Sequence, residues 1–261
     1  MQVPDTIIRL LARYSEGVRL TAEHGVRSGL VLEYACRNQP QGSGSLGRWI
    51  DRRFLHLRAW DGIRQRVQTT KELAMELVAR RRAAGQTTMI LDVASGTGRY
   101  LRDLVREDAG EDLIVACHDR NPREVMLGRR LIKQEGLTRI SFSVGDATDH
   151  SSYLTNRDPD IVLAIGLFAI LQRDDDVRSV MRLAFAHLSR GGCFVCSTLA
   201  KSHALGGSLD ADAFSGQPAV RPPEAIAQWL RATGFVNIDQ RFSQPYGFAL
   251  IGWKPDDGRR E

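Results

Sequence analysis

The pattern of hydrophobic positions divides the chain into an N-terminal part with helical spacing and a longer part in which strand-like and helical segments alternate. Over residues 4–36 the apolar positions recur three and four apart, which predicts two or three amphipathic helices. A turn-rich break follows at 39–45, and residues 46–84 again show helical spacing. The predicted organisation is a helical N-terminal extension or lid at 1–84, a core at 85–254 and a polar tail at 255–261.

Beyond residue 85, short apolar runs alternate with helical stretches. Apolar runs suited to strands buried on both faces are 89–93, 113–117, 140–144, 161–165 and 192–199. Helical spacing is found at 98–107, 122–135 and 177–188. Strands that alternate with helices predict a parallel sheet covered by helices.

The C-terminal part predicts a hairpin at the end of that sheet. A helix at 223–233 is followed by two strand-like runs, 235–242 and 246–253, which are joined by a short turn and should pair antiparallel. The predicted fold class is therefore α/β, with a Rossmann-like, mostly parallel seven-stranded sheet, an antiparallel C-terminal hairpin and the N-terminal helical extension.

Composition limits the class of protein further. The 261 residues are 43% hydrophobic and 26% charged, which is typical of a globular chain with one main domain. Lys and Arg outnumber Asp and Glu by 36 to 31, and the pI is near 9.3. A basic balance favours a nucleic-acid partner. A coding preference for arginine explains it equally, since only four of these cations are lysines.

Targeting and redox features predict a reduced, cytoplasmic protein. No run approaches the ~20 apolar residues of a membrane span, and the first twenty residues lack the pattern of a signal peptide. The four cysteines are too scattered for a disulfide framework. Cys193 and Cys196 form a CxxC within an apolar strand, where residues three apart point to opposite faces, so we expect core cysteines and no metal site.

The first predicted strand ends in a small-residue turn, Asp92-Val93-Ala94-Ser95-Gly96-Thr97-Gly98. Such a turn lets backbone approach a ligand closely, and the helix that opens at Gly98 presents free N–H groups. A Walker loop is excluded because Gly-Lys-Ser/Thr is missing. A dinucleotide loop fails because Leu101 occupies its third glycine position.

In this turn the sequence resembles the class I S-adenosylmethionine-dependent methyltransferases. The segment ILDVASGTG of this chain corresponds to their first motif, with Ala94 in place of the first of three glycines. Further matches follow in order: the acid Asp119 after the second strand, Gly145-Asp146-Ala147 after the third, Gly166 after the fourth and a Gly191-Gly192 turn before the fifth. Residues 46–55 and 60–66 also resemble a bacterial methyltransferase subgroup in which some members are fused to an α/β-hydrolase.

The resemblance implies S-adenosyl-L-methionine as cofactor, with S-adenosyl-L-homocysteine as product. It implies that Asp119 accepts from the ribose hydroxyls and that Asp146 and Ala147 contact the adenine. The implied cofactor-binding residues are Asp92, Ala94, Ser95, Gly96, Asp119, Arg120, Asn121, Asp146, Ala147 and Gly166.

Each of these acids has an alternative role. Asp119 could instead cap the following helix, and Asp146 could be an ordinary turn residue. Asp92 either joins a capping network or faces the methionyl ammonium through water. Arg64 and Arg66 precede the core on a predicted helix and could bind the methionyl carboxylate with paired N–H groups. Surface ion pairing is the alternative for both arginines.

Candidate bases are few. His150, Asp149, His203 and Tyr246 follow or begin strands, and His203 is the predicted catalytic residue because loops after the fourth and fifth strands face the acceptor in this family. The Gly/Ser-rich segment 201–222 is expected to act as a substrate lid.

The acceptor is predicted to be a small organic molecule, a secondary metabolite or a lipid-like compound, with O-methylation slightly favoured in a biosynthetic role. Nucleic acid is disfavoured because Ile165-Gly166-Leu167-Phe168 follows the fourth strand instead of the Asn/Asp-Pro-Pro-Tyr/Phe signature, and no cysteine stands where a base nucleophile is expected. The alternatives are an RNA-modifying methyltransferase and a protein that binds the cofactor without methylating. A homodimer is compatible with all three.

Overall fold

The computed structural model of the chain describes residues 5–26, 28–199, 219–244 and 247–256. These residues form two compact units, one over residues 5–68 and one over the described residues from 69 onward. In the described residues, no helix has both the length and the apolar character needed to cross a bilayer.

The first unit is helical. Its core includes Leu20, Val31, Leu55 and Trp60, which are all buried. Its helices are α1 (Asp5–Ala12), α2 (Glu16–His24), α3 (Gly29–Arg37), α4 (Gly44–Leu55) and the beginning of α5 (Arg58–Ala83).

Helical spacing predicted one continuous helix over 46–84, but the structure divides it between α4 and α5 at His56 and Leu57. The division is stabilised by Arg64, whose Nη2 donates to the carbonyl of Leu55 at 3.0 Å. That carbonyl is one of those that a helix end leaves without an intrahelical partner. The helical period continues across the break, so the spacing alone does not reveal it.

A buried carboxylate ties the first unit together. Asp51 of α4 has no exposed surface, and its two oxygens accept hydrogen bonds from three separate segments of the chain. Buried charge is tolerated where hydrogen bonds satisfy it in this way. The donors are Ser15 Oγ (2.5 Å), Gly17 N–H (3.1 Å), Tyr34 Oη (2.5 Å), Gln41 N–H (3.0 Å) and Gly42 N–H (2.6 Å).

The second unit contains the sheet. Its strands are β1 (Thr88–Asp92), β2 (Leu113–Asp119), β3 (Ile140–Val144), β4 (Ile161–Ala164), β5 (Cys193–Leu199), β6 (Val236–Gln244) and β7 (Gly247–Trp253). Its helices after α5 are α6 (Arg99–Glu107), α7 (Pro122–Glu135), α8 (Asp174–His187) and α9 (Pro223–Thr233). Helix α8 begins three residues earlier than predicted, since Asp174, Asp175 and Asp176 occupy its first turn, where helix N–H groups stabilise carboxylates.

The strand order is β3-β2-β1-β4-β5-β7-β6, with β1 to β5 parallel and β7 antiparallel to both of its neighbours. This arrangement confirms the predicted mostly parallel seven-stranded sheet and its C-terminal hairpin. Cys193 and Cys196 are buried and free, in agreement with the prediction of core cysteines.

Candidate cofactor site at the carboxyl edge of the sheet

The candidate site lies where β1, β2 and β3 end. Asp92 closes β1 and Asp119 closes β2, and Asp119 is in register with Val144 at the end of β3. Strand order reverses between β1 and its neighbour β4. In open α/β sheets this reversal makes a crevice outside the carboxyl ends of the strands, and ligands bind there.

The turn after β1 contains two glycines with different surroundings: Gly96 has open space beside it, and Gly98 is packed against a side chain. Gly96 and Gly98 both have positive φ, 55° and 64°. A Cβ at Gly98 would approach the Phe142 ring to 2.6 Å, whereas a Cβ at Gly96 would meet no atom within 4 Å. Gly98 is therefore required for packing, while the space beside Gly96 can accept a ligand. The Ser95 N–H fixes the turn by donating to the carbonyl of His118 at 3.0 Å.

Asp119 joins this turn to the end of β2. Its Oδ2 accepts from the Gly96 N–H at 2.8 Å, and its Oδ1 accepts from the Asn121 N–H at 2.9 Å. Each carboxylate oxygen has a second lone pair, so both can still accept a hydroxyl. The partly exposed carboxylate therefore keeps the acceptor capacity that two neighbouring hydroxyls of a ribose would require.

The helix-capping alternative for Asp119 is wrong, because Asn121 is the N-cap of α7 and accepts from the Arg123 N–H at 3.0 Å. The Asn121 side chain is thus engaged by its own helix. Arg120 is exposed, and its charge contributes to lowering the pKa of Asp146.

Asp146 has the turn role proposed as its alternative. Its Oδ1 accepts from both the N–H and the Oγ1 of Thr148, at 2.8 and 2.7 Å, and these bonds hold the pKa of the carboxyl below its ordinary value. The side chain remains exposed. Ala147 is buried beside it, and its carbonyl accepts from the Tyr153 hydroxyl at 2.8 Å. A role in adenine binding stays a prediction for both residues.

Asp92 is fully buried beneath the turn. Its Oδ1 accepts from the Ala94 N–H at 3.0 Å, and its Oδ2 accepts from the Tyr100 hydroxyl. Burial raises the pKa of Asp92 to about 7, and the nearby Asp119 adds to this, although the two hydrogen bonds act against it. These bonds hold the turn and the Tyr100 side chain but cap no helix, since Gly98 is the N-cap of α6 and no side chain caps it. A role of Asp92 towards the methionyl ammonium stays a prediction.

The raised pKa of Asp92 makes a pH dependence of stability testable. An unfolded chain ionises this group near 3.8, so between about pH 4 and 7 the folded protein binds one more proton than the unfolded chain. We expect the free energy of unfolding to fall as pH rises through this window, by up to about 4 kcal/mol from this group.

Urea unfolding of the native protein and of Asp92→Asn, repeated across pH 4 to 8, isolates the contribution of Asp92. The difference in free energy between the two proteins should decrease by up to about 1.4 kcal/mol per pH unit and become constant above about pH 7. A difference that does not change with pH would show that Asp92 is ionised in the folded state.

Two interactions that support this edge were not foreseen from the sequence. Arg102 of α6 is fully buried, pairs with Glu135 and donates from Nε to the carbonyl of Thr97 at 3.1 Å, which braces the glycine turn. Gly166, directly beyond β4, donates its N–H to Ser197 Oγ at 2.8 Å. The only signal for Arg102 was its place one helical turn after Gly98.

A buried arginine fixes the segment beyond β4. The guanidinium of Arg221 donates to the carbonyls of Phe168 at 2.6 Å and Leu171 at 3.0 Å, and to Asp174 Oδ1 at 2.8 Å. The Ala219 N–H donates to the carbonyl of Ala169 at 3.0 Å. These bonds hold the C-terminal end of the segment predicted to be a lid, 201–222, of which residues 201–218 lie outside the described part of the chain.

The two candidate arginines lie in the first unit. Besides Leu55, Arg64 donates to the carbonyl of Ala35 at 2.9 Å and to Asp61 Oδ1 at 2.5 Å, so its guanidinium already has several acceptors. Arg66 is half-buried in α5. Binding of the methionyl carboxylate stays a prediction for both.

The predicted catalytic His203 and the alternative base Tyr246 lie outside the described residues. Asp149 accepts from the Ser151 N–H at 2.9 Å and caps a short 3-10 helix at His150–Tyr153. The His150 ring packs edge-on against the ring of His187, with 4.5 Å between the centroids. The structure therefore gives Asp149 and His150 local structural contacts.

Comparison with known sequences places the chain in a family. A family model described as "putative methyltransferase" matches residues 2–204. The Escherichia coli (strain K12) protein named "Uncharacterized protein YnbC" is 32% identical over 192 residues, which are 72% of this chain and 32% of that protein. The chain thus spans about a third of the length of this curated relative.

Solved structures share the fold at low identity. A "possible exported protein" of Bordetella parapertussis has a TM-score of 0.69 at 19% identity and matches 95% of this chain and 86% of its own. An S-adenosylmethionine-dependent methyltransferase of Clostridium acetobutylicum has a TM-score of 0.56 at 13% identity over 71% and 90%. The [4+2]-cyclase SpnF has 0.52 at 19% identity over 72% and 82%.

The sheet order and the glycine turn beside Asp119 are those of the class I S-adenosylmethionine-dependent methyltransferases. The chain belongs to the methyltransferase family whose model it matches. Since a cyclase also has this fold, the fold by itself does not fix the reaction.

Proposed function

We propose that the chain is an S-adenosylmethionine-dependent methyltransferase that acts on a small organic acceptor, a secondary metabolite or a lipid-like compound. The observation that carries this proposal is the contact of the Asp119 carboxylate with the Gly96 N–H, beside the open space at that glycine. The site offers a two-oxygen acceptor for a ribose next to a backbone that a ligand can approach closely. O-methylation is favoured on the frequency of that reaction in the class.

The residues at this edge fit the cofactor in charge as well as in shape. Asp119 and Asp146 bring negative charge to the ends of β2 and β3, which favours a ligand that carries a sulfonium and an ammonium group. When bound, S-adenosylmethionine supplies an activated methyl group. The chain's own contribution is to hold the ribose through Asp119 and to keep the turn in place through Arg102 and Ser95.

Acceptor chemistry would be determined beyond β4 and β5. Gly166 and the segment held by Arg221 lie at the carboxyl side of those strands, so they are positioned to form the acceptor side of the site. His203 is our candidate for removing a proton from the acceptor. A cytoplasmic location, a homodimer and a small-molecule acceptor in preference to nucleic acid belong to the same proposal and rest on the sequence.

Isothermal titration calorimetry with S-adenosylhomocysteine and with NAD tests the proposal. We expect S-adenosylhomocysteine to bind at least about tenfold more tightly, which is a difference of about 1.4 kcal/mol. Comparable affinities would contradict the cofactor assignment. A structure with S-adenosylhomocysteine bound would then reveal the side chains beyond the sulfur and the size and polarity of the acceptor.

Two alternatives predict other outcomes in the same measurements. Tight binding without methyl transfer to any acceptor would favour a non-methylating protein, which is a real alternative because SpnF has the same fold. RNA binding that weakens steeply with salt would favour an RNA-modifying enzyme.

A further inference from the structure

Helix α4 presents large apolar side chains to solvent. Leu46 is 56% exposed and Trp49 is 51% exposed, and they are three residues apart on one side of the helix. The guanidinium of Arg53 lies 5.5 Å from the centre of the Trp49 ring. Arg48 and Arg52 are exposed beside them. We call these five residues the α4 face.

The opposite side of α4 already supplies the packing of its unit. Gly47, Asp51 and Leu55 are buried there, and Asp51 holds the network of five donors. Leu46 and Trp49 are therefore not needed for the core. Exposed apolar side chains grouped among cations are typical of a surface that meets another phase or partner.

Helix α1 extends this apolar character. Ile7, Leu10 and Tyr14 are exposed at spacings of three and four. The carbonyl of Tyr14 accepts from the Ser43 N–H at 2.8 Å, and a Cβ at Gly47 would lie 2.2 Å from that carbonyl. The turn that follows α1 thus meets the beginning of α4, where Leu46 lies.

The charges of the first unit are distributed unequally. Where their side chains are described, its acids are either paired locally, as Glu16 and Glu23 with Arg19, Glu33 with Arg37 and Asp61 with Arg64, or buried, as Asp51. Within the described part of the chain, no ion pair joins an acid to the arginines of α1 and α4. Those arginines are Arg9 of α1 and Arg48, Arg52 and Arg53 of α4, and Arg13, just after α1, likewise has no acidic partner among the described residues.

We propose that the α4 face docks on the surface of an anionic lipid bilayer. Arginines attract acidic headgroups, while Trp and Leu side chains enter the boundary between headgroups and acyl chains. Tryptophan and tyrosine are the residues enriched at that depth. RNA would satisfy the arginines, but it offers nothing to Leu46 or to the aliphatic side chains of α1, so the combined chemistry favours lipid.

Co-sedimentation of the full chain with phosphatidylcholine vesicles, with and without phosphatidylglycerol, tests the proposal. We expect binding only to the anionic vesicles and a decrease when salt is raised. The double variant Leu46→Ser with Trp49→Ala and the triple variant Arg48→Gln, Arg52→Gln, Arg53→Gln should each lower the partition coefficient at least about tenfold.

Matched controls come from exposed residues of the sheet unit. Met126→Ser with Val144→Ala, and Arg123→Gln, Arg130→Gln, Arg173→Gln together, remove equal numbers of exposed apolar groups or charges and should leave vesicle binding unchanged. A far-UV circular dichroism spectrum and a urea midpoint of the double variant that match those of the native protein show that the helical unit is still folded, whatever the emission of the three remaining tryptophans.

A direct readout is the Trp49 emission. Its shift to shorter wavelength on anionic vesicles should disappear in Trp49→Phe. Equal binding to neutral vesicles, no binding, or binding that the α4 variants do not change would overturn the proposal. So would Trp49-dependent dimerisation or RNA retention without vesicle binding, which would assign this surface to a second copy or to RNA.

Discussion

Alanine in place of Asp119 is expected to weaken S-adenosylhomocysteine binding by at least about a hundredfold. In the proposed function the carboxylate accepts both ribose hydroxyls, and hydrogen bonds to a charged group contribute roughly 1.5–3 kcal/mol each. The loss of two such bonds is about 3 kcal/mol or more. Isothermal titration calorimetry measures the affinity directly.

Asp119 also holds the Gly96 and Asn121 N–H groups, so part of the effect could come from a displaced turn. Hydrogen exchange at the Gly96 and Asn121 amides measures that displacement in Asp119→Ala and in Asp119→Asn, whose amide oxygen preserves one of these contacts while its NH₂ group cannot accept a hydroxyl. Asp175→Asn, at an exposed acid of α8, controls for charge. Unchanged affinity in Asp119→Ala would exclude the ribose role.

Alanine in place of Asp51 is expected to unfold the first helical unit or to destabilise it by about 3–5 kcal/mol. The change leaves the donors of Ser15, Gly17, Tyr34 and Gly42 facing a small cavity without their acceptor, while the Gln41 N–H keeps only the Tyr34 hydroxyl oxygen at 3.0 Å. Removal of one partner from a buried charged network has costs of this order. Urea unfolding followed by circular dichroism measures the loss, and hydrogen exchange at the Gln41 and Gly42 amides locates it.

The matched control is Glu23→Gln, which breaks an exposed pair with Arg19 in the same unit and should change stability by less than about 1 kcal/mol. Lowering the pH should destabilise the first unit in the same way as the substitution of Asp51. Although burial alone would raise the pKa of Asp51, the hydrogen bonds from Ser15 and Tyr34 hold it below 3.8, so its contribution is lost as pH falls through that lowered value. Equal destabilisation by both variants would contradict a structural role specific to Asp51.

Helices were predictable where the hydrophobic spacing is regular and a residue at each end marks the boundary. Helices α7 and α9 have the predicted bounds, since Pro122 and Pro223 open them and Gly136 and Gly234 follow them. The break between α4 and α5 was not predictable, because the arginine that stabilises it lies nine residues further along.

The candidate site likewise contains one contact that could be predicted from the sequence and others that could not. Asp119 and Gly96 lie 23 residues apart, yet their meeting could be predicted, because parallel neighbours bring their ends to one edge. Asp51 and Arg102 appear in the sequence as ordinary helix-surface charges, and both are fully buried. Their partners lie up to 36 residues away, and no local pattern reports such a pairing.

The bonds around Arg221 have a consequence for how sequences of this kind diversify. The chain leaves the sheet at the end of β5 and is fastened again at Ala219 and Arg221, so both ends of the connection are held by the core. Closing a connection of twice the length costs only about 0.6 kcal/mol. Insertions, deletions or exchanged segments between these points are therefore inexpensive and require no change in the sheet.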